Sequence, residues 1–180
     1  TKTENFEKAI QANTKLIYLE SPNTFTYELQ DIAAVAKLAK SKGLLTMIDN
    51  SYCSPINQKP YTMGIDLVAQ SATKFIGGHS DVVAGVLSGT RAHMKKIFDL
   101  EYLMAGNGIQ AFNAWLLIRG LRTLPARLDR ITINTQKVIA FMKSHSKVEE
   151  LLFPLEESFP QYQLAKSQMS GACGLFTIVV

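Results

Sequence analysis

The chain has only two cysteines in 180 residues, Cys53 and Cys173. They are far apart and form no CxxC pair, which argues against a disulfide framework or a thiolate zinc site and fits a reducing compartment. No apolar run approaches the roughly 18 residues of a membrane helix, and no apolar core follows a basic start at the amino terminus, so a cytoplasmic chain without a membrane partner is expected. Charge of one sign is never concentrated. The 19 Lys and Arg interleave with 15 Asp and Glu to leave a net +4, with no block of five or six like charges, which speaks against a nucleic-acid footprint. Neither GxGxxG nor GxxxxGK[ST] follows a predicted strand, so a nucleotide site lacks its phosphate turn. Spaced His, Cys and Asp sets for a metal, internal repeats and low-complexity tracts are missing as well. What remains, 47% hydrophobic and 19% charged residues, is ordinary for one folded core. The chain opens on Thr1 and closes on GACGLFTIVV, midway through what reads as a buried strand, so an internal piece of a longer protein is expected.

Helical spacing predicts a helix over residues 2–12, and the β-branched run at 15–20 predicts a strand that ends in a Ser-Pro-Asn turn. A second helix is predicted over 28–42, with Leu29, Ile32, Ala33, Ala36 and Ala39 on one face and Gly43 placed to end it. The continuous apolar run at 44–48 reads as a strand covered on both faces, terminating in Asp49-Asn50-Ser51. A loop with two prolines leads to a short strand at 67–69, the Lys74 turn and another apolar strand at 82–87. This alternation predicts an α/β fold with a mostly parallel sheet flanked by helices. Right-handed connections would put the carboxyl ends of the strands on one edge, with Asp49 and Lys74 facing one crevice. Beyond Arg91 helices dominate, over 92–103, over 112–121 with a break near Gly120 and Pro125, and over 131–144. Trp115 is expected in the core, and the text after His145 reads as loop before a terminal strand. The resulting division is 1–122, part of a large domain, and 123–180, a connecting helix and the start of a smaller one.

The chain is organised around DLVAQSATKFIGGHSDVVAG, with Lys74 at its centre. A lysine at a strand end, walled by apolar strands and hydroxyls, suits Schiff-base chemistry, because desolvation leaves more free amine to attack an aldehyde. The cofactor most often held this way is pyridoxal 5'-phosphate, which wants an anion opposite its ring nitrogen, for which Asp49 is the candidate. Ser71 and Thr73 offer hydroxyls to a phosphate. Simpler readings stand beside these: a solvated lysine, an Asp-Asn-Ser turn or cap, and hydroxyls bonded to backbone. His79-Ser80-Asp81 are adjacent in one loop and are read as packing rather than as a triad. His93 and His145 are expected in solvent, Cys53 is read as structural, and Arg119, Arg122 and Arg127 as helix caps or partners of acids.

The runs MIDNSYCSPINQKPYTMGIDLV and QSATKFIGGHSDVVAGVLSG closely resemble the lysine-containing signature of the Cys/Met-metabolism family of pyridoxal-phosphate enzymes, which includes cystathionine γ-synthase, cystathionine β- and γ-lyases, methionine γ-lyase and O-acetylhomoserine sulfhydrylase. The likeness covers about residues 15–128, including AFNAWLLIRGLRTLPARL. It implies a fold-type I transferase-like architecture and a homodimer or a homotetramer of tight dimers. It also implies an amino-acid substrate and lyase or replacement chemistry at the β or γ carbon of sulfur amino acids. Lys74 would be the cofactor lysine, Asp49 the partner of the pyridine nitrogen, and Ser71 and Thr73 phosphate ligands. Where the family usually reads Glu-Ser-Pro-x-Asn-Pro, with its asparagine near the ring hydroxyl, this chain has Glu20-Ser21-Pro22-Asn23-Thr24-Phe25. Asn23, one position early, is the candidate for that contact. The family's glycine-rich phosphate turn and its carboxylate-binding arginine would lie before Thr1 and after Val180. The alternative is a non-catalytic α/β fragment with an incomplete cofactor site.

Overall fold

A computed structural model describes residues 2–180. After α1 (Thr3–Ala9), strand β1 (Leu16–Glu20), helix α2 (Ile32–Ser41) and strand β2 (Leu45–Asp49) form a parallel unit. A one-turn helix α3 (Ser54–Asn57) and a 3-10 turn lead to β3 (Leu67–Ser71), also parallel to β2. β4 (Gly85–Gly89) returns antiparallel to β3, so the sheet order is β1-β2-β3-β4. The sheet is thus mostly parallel, with its three parallel strands ending at one edge.

Local chemistry sets the limits of α2. Asp31 caps its start by accepting the Ala34 N–H at 2.9 Å. At its end Gly43 adopts a left-handed φ of 67°, and the N–H groups of Gly43 and Leu44 turn back to the carbonyls of Lys40 and Ala39. This is the glycine-terminated double bond that satisfies orphan helix carbonyls. The helix lays Ile32, Val35, Ala36 and Ala39 against Ile17, Leu19, Ile48 and Val68 of the sheet, and Phe6 and Ile10 pack against the same cluster. The opposite face is not covered: Leu16, Tyr18 and Leu45 are exposed. β2 is therefore not buried on both faces as its unbroken apolar run predicts, because the helices before and after β1 both pack on the Ile17 and Ile48 side.

Helical residues follow β4 in α4 (Arg91–Ile97), a π turn (Phe98–Tyr102) and α5 (Leu103–Ala105). Helix α6 then runs unbroken from Ala111 to Lys143, through Gly120 and Pro125. A proline there removes one helix donor, and one carbonyl in the preceding turn gains side-chain partners. The Gly120 carbonyl accepts from Arg127 Nη2 at 2.9 Å and Thr123 Oγ1 at 3.2 Å. The helix thus runs on past the expected break with these contacts in the turn before Pro125. Trp115 is not in the core but 55% exposed on the outer face of α6. It stacks on Phe112 and lies under the Arg119 guanidinium, because the buried stripe takes Leu116, Leu117 and Gly120 instead.

The residues after α6 are less loop-like than expected. β5 (Glu150–Leu152) and β6 (Thr177–Val179) pair antiparallel around α7 (Tyr162–Gln168). Phe153, Phe159, Ala165 and Met169 form one core with Ile139 of α6 and with Tyr27, Leu29 and Cys53 from the loops of the sheet. Two amides tie the halves together. Gln161 exchanges bonds of 2.8 and 2.9 Å with the backbone of Leu29, and Gln168 reaches the Gln30 carbonyl and Ser21 Oγ. No helix among the described residues is long and apolar enough to cross a membrane.

Candidate active site

The carboxyl ends of the parallel strands carry Glu20, Asp49 and Ser71, with Glu20 opposite Asp49 in the ladder. After β3 the chain folds through successive turns, with the Lys74 N–H bonded to the Ser71 carbonyl at 3.2 Å and the Gly78 N–H to the Lys74 carbonyl at 2.8 Å. The turn is seated by Ala72, Ile76 and Val82, buried against Leu116 and Leu117 of α6. Gly120 permits the close approach: a Cβ there would lie 2.3 Å from the Ile76 carbonyl oxygen. Arg127 clamps the same contact through the carbonyls of Ile76 and Gly120.

Lys74, Asp49 and Asn23 line one cavity of about 190 Å³, together with Glu20, Tyr27, Tyr52 and Leu175. Asp49 Oδ1 accepts the Ser51 N–H at 2.8 Å, while Oδ2 has no hydrogen bond among the described residues. Asn50 braces the turn by donating to the carbonyls of Ser54 and Gln58, and Ser51 Oγ accepts the Ser71 N–H at 2.6 Å. The Asp-Asn-Ser run is therefore a braced turn that leaves one carboxylate oxygen of a cavity-lining aspartate without a hydrogen bond among the described residues. Lys74 is exposed, and its ammonium forms no ion pair among the described residues. That corrects the expectation of a desolvated amine, since apolar strands wall the backbone of the turn but not the tip of the side chain.

The two hydroxyls are placed differently. Ser71 is half-buried at the end of β3. Thr73 Oγ1 accepts the Ala84 N–H at 3.0 Å and donates to the Ala84 carbonyl at 3.3 Å, closing the loop that enters β4. Thr73 and Lys74 also border a second cavity of about 690 Å³, on the α6 side, with Ser80, Arg127 and Arg130. His79, Ser80 and Asp81 do not converge: His79 Nδ1 meets the Gly77 carbonyl at 2.7 Å, and Asp81 pairs with Arg119. His145 is exposed, but His93 is half-buried, with its Nδ1 buried and unpartnered, contrary to the solvent position expected for it.

Sequence reasoning missed Tyr52, Tyr27, Leu175 and Glu20 as cavity walls. Tyr52 packs on Tyr27 with ring centres 5.3 Å apart and donates to the Leu175 carbonyl at 3.0 Å. Burial pushes its phenol well above the usual range, as do the neighbouring Cys53 and Tyr27 groups. Burial likewise raises the Cys53 thiol far above its ordinary value and Cys173 to about 12. Only the position of Glu20 at the end of a strand was visible beforehand.

The sequence model described as Cys/Met metabolism PLP-dependent enzyme matches residues 1–180. L-methionine gamma-lyase of Treponema denticola is 41% identical over 180 residues, covering 97% of this chain and 45% of that protein. Cystathionine beta-lyase MetC of Staphylococcus haemolyticus is 39% identical over 175 residues, covering 96% and 43%. The crystal structure of cystathionine gamma-lyase from Lactobacillus plantarum complexed with L-serine superposes with a TM-score of 0.93 at 38% identity, over 97% of this chain and 46% of that one. The chain thus spans less than half the length of these relatives. With its strand-end lysine and aspartate on one cavity and its whole length matched, the chain belongs to the Cys/Met metabolism family of PLP-dependent enzymes.

Proposed function

We propose that the protein containing this chain is a pyridoxal-phosphate-dependent carbon–sulfur lyase or γ-replacement transferase, acting at the β or γ carbon of sulfur amino acids or their precursors. The carrying observation is that the Lys74 amine and the Asp49 carboxylate line the same strand-end cavity. The residues fit the cofactor. Asp49 Oδ2 is free to accept a ring N–H, and the Lys74 amine has no competing acid. Asn23 would approach the ring hydroxyl. Its own Oδ1 accepts from Thr26 Oγ1 at 2.8 Å, leaving the amide N–H groups to donate. Ser71 and Thr73 would bind the phosphate, Thr73 by turning from the Ala84 carbonyl, to which its bond is long at 3.3 Å.

When bound, pyridoxal 5'-phosphate supplies an electron sink for negative charge at the substrate Cα. Lys74 Nζ would hold the cofactor and, once the substrate amine has taken its place, would be free to accept the proton from that carbon. Asp49 would hold a proton on the ring nitrogen, with Oδ2 the oxygen that has no other bond among the described residues. In this reading residues 1–122 belong to a large cofactor domain and 123–180 begin a smaller one, in a cytoplasmic homodimer or homotetramer. The complete protein is expected to show a visible absorption band from the bound cofactor that vanishes in Lys74→Ala, and an unchanged band would remove the assignment. Incubation with cystathionine, methionine and O-acetylhomoserine, scoring keto acid or thioether, then separates the β and γ reactions.

The exposure of Lys74 favours a second reading for the 180 residues by themselves, a non-catalytic α/β fragment with an incomplete site. Mixing the isolated chain with cofactor distinguishes the two, because stoichiometric binding would exclude an incomplete site.

A further inference from the structure

Glu20 and Asp49 are the last residues of adjacent parallel strands and partners across the ladder. Partner positions project their side chains from the same face of a sheet, and both residues line the cavity that holds Lys74. Glu20 is oriented rather than loose, since its Oε1 accepts the Thr24 hydroxyl at 2.6 Å. Neither carboxylate has an ion-pair partner among the described residues. The other titratable groups facing this wall are Tyr27 and Tyr52 from the loops after β1 and β2, and Lys74 from the turn after β3. Tyr18, two residues before Glu20, has its phenol raised by burial, by Asp49 and then by Glu20. The two negative charges therefore act on the same region.

We infer that Glu20 is a positioning residue that reinforces Asp49, so that a protonated ring nitrogen bound in this cavity faces two carboxylates rather than one. The inference rests on the cofactor reading above. With adjacent strands about 5 Å apart and an effective dielectric of about 40, between the surface and bulk-water values, one added charge raises proton affinity on the order of tenfold. Glu20→Gln keeps an acceptor for Thr24 and removes the charge, whereas Thr24→Val removes the hydrogen bond and keeps the charge.

The test loads the complete protein with cofactor labelled with 15N in its ring and follows the ring-nitrogen chemical shift against pH. It is run with Asp49 present, and again in an Asp49→Asn background that brings the midpoint into an accessible range. Glu20→Gln is expected to lower the midpoint by about one pH unit, the tenfold change above, in whichever background titrates, while Thr24→Val, which loosens the carboxylate but keeps its charge, lowers it by less. An unmoved midpoint in Glu20→Gln overturns the inference, as does an equal fall in Thr24→Val, which would make Glu20 a loop anchor. Failure of the cofactor reading looks different: the parent protein would then bind no labelled cofactor, or Lys74→Ala would keep the visible band.

Discussion

Replacing Gly120 by alanine tests the contact that places Lys74. A Cβ at this position would lie 2.3 Å from the Ile76 carbonyl oxygen and 2.5 Å from that of Gly77. Both obstacles are backbone atoms, so no change of rotamer relieves the overlap. Helix and turn must instead separate by roughly 1 Å, a gap that forfeits about a quarter to a half of the dispersion attraction between the atoms it parts. Those atoms belong to Leu116 and Leu117 on one side and Ala72, Ile76 and Val82 on the other. Overpacking of this kind costs about 1–3 kcal/mol, and alanine returns about 1 kcal/mol through its better helix propensity. The expected net loss is about 0–2 kcal/mol. Urea unfolding of the complete protein should show a lower midpoint at unchanged slope. Cofactor affinity should weaken too, because the displaced Ile76 lies two residues from Lys74 and shares Arg127 with Gly120. A gain of about 1 kcal/mol, the value for an unobstructed helix glycine, with cofactor affinity unchanged, would refute the reasoning.

Gln161→Leu removes both bonds to Leu29 and leaves a part-buried N–H and carbonyl without partners. A loss of about 2 kcal/mol in the same unfolding assay is expected, and a neutral effect would show that water replaces the amide. The raised thiol of Cys173, at about 12 against an ordinary 9.0, makes the native state bind more protons than the unfolded chain in that interval. Its contribution is complete below about pH 9 and falls away as pH rises toward 12. Thermal unfolding followed across that window should decline less steeply in Cys173→Ala than in the parent, and identical slopes would contradict the burial argument. Native Cys53 and Cys173 should also resist alkylation at pH 8 until denaturant is added, since both are buried and protonated.

The sequence by itself determined the main helices and strands as far as β3 and where β1 and β2 end, because apolar runs and Gly43 are local features whose effects stay within a few residues. It also determined that Asp49 and Lys74 follow neighbouring strands, so that parallel pairing puts both at one edge. Other features depend on what packs against an element, which no local pattern contains. α6 continues past Pro125, with Arg127 and Thr123 bound to the Gly120 carbonyl in the preceding turn. Trp115 lies outside because Leu116, Leu117 and Gly120 take the contact with the Lys74 turn. α7 holds its place through Gln161, Gln168 and a core shared with residues more than a hundred positions away. The pairing of Glu20 with Asp49 is a matter of strand register, and the engagement of Thr73 with Ala84 a matter of loop closure. Periodicity reports which face of an element is apolar; only the tertiary structure decides what covers that face and which side chains meet across it.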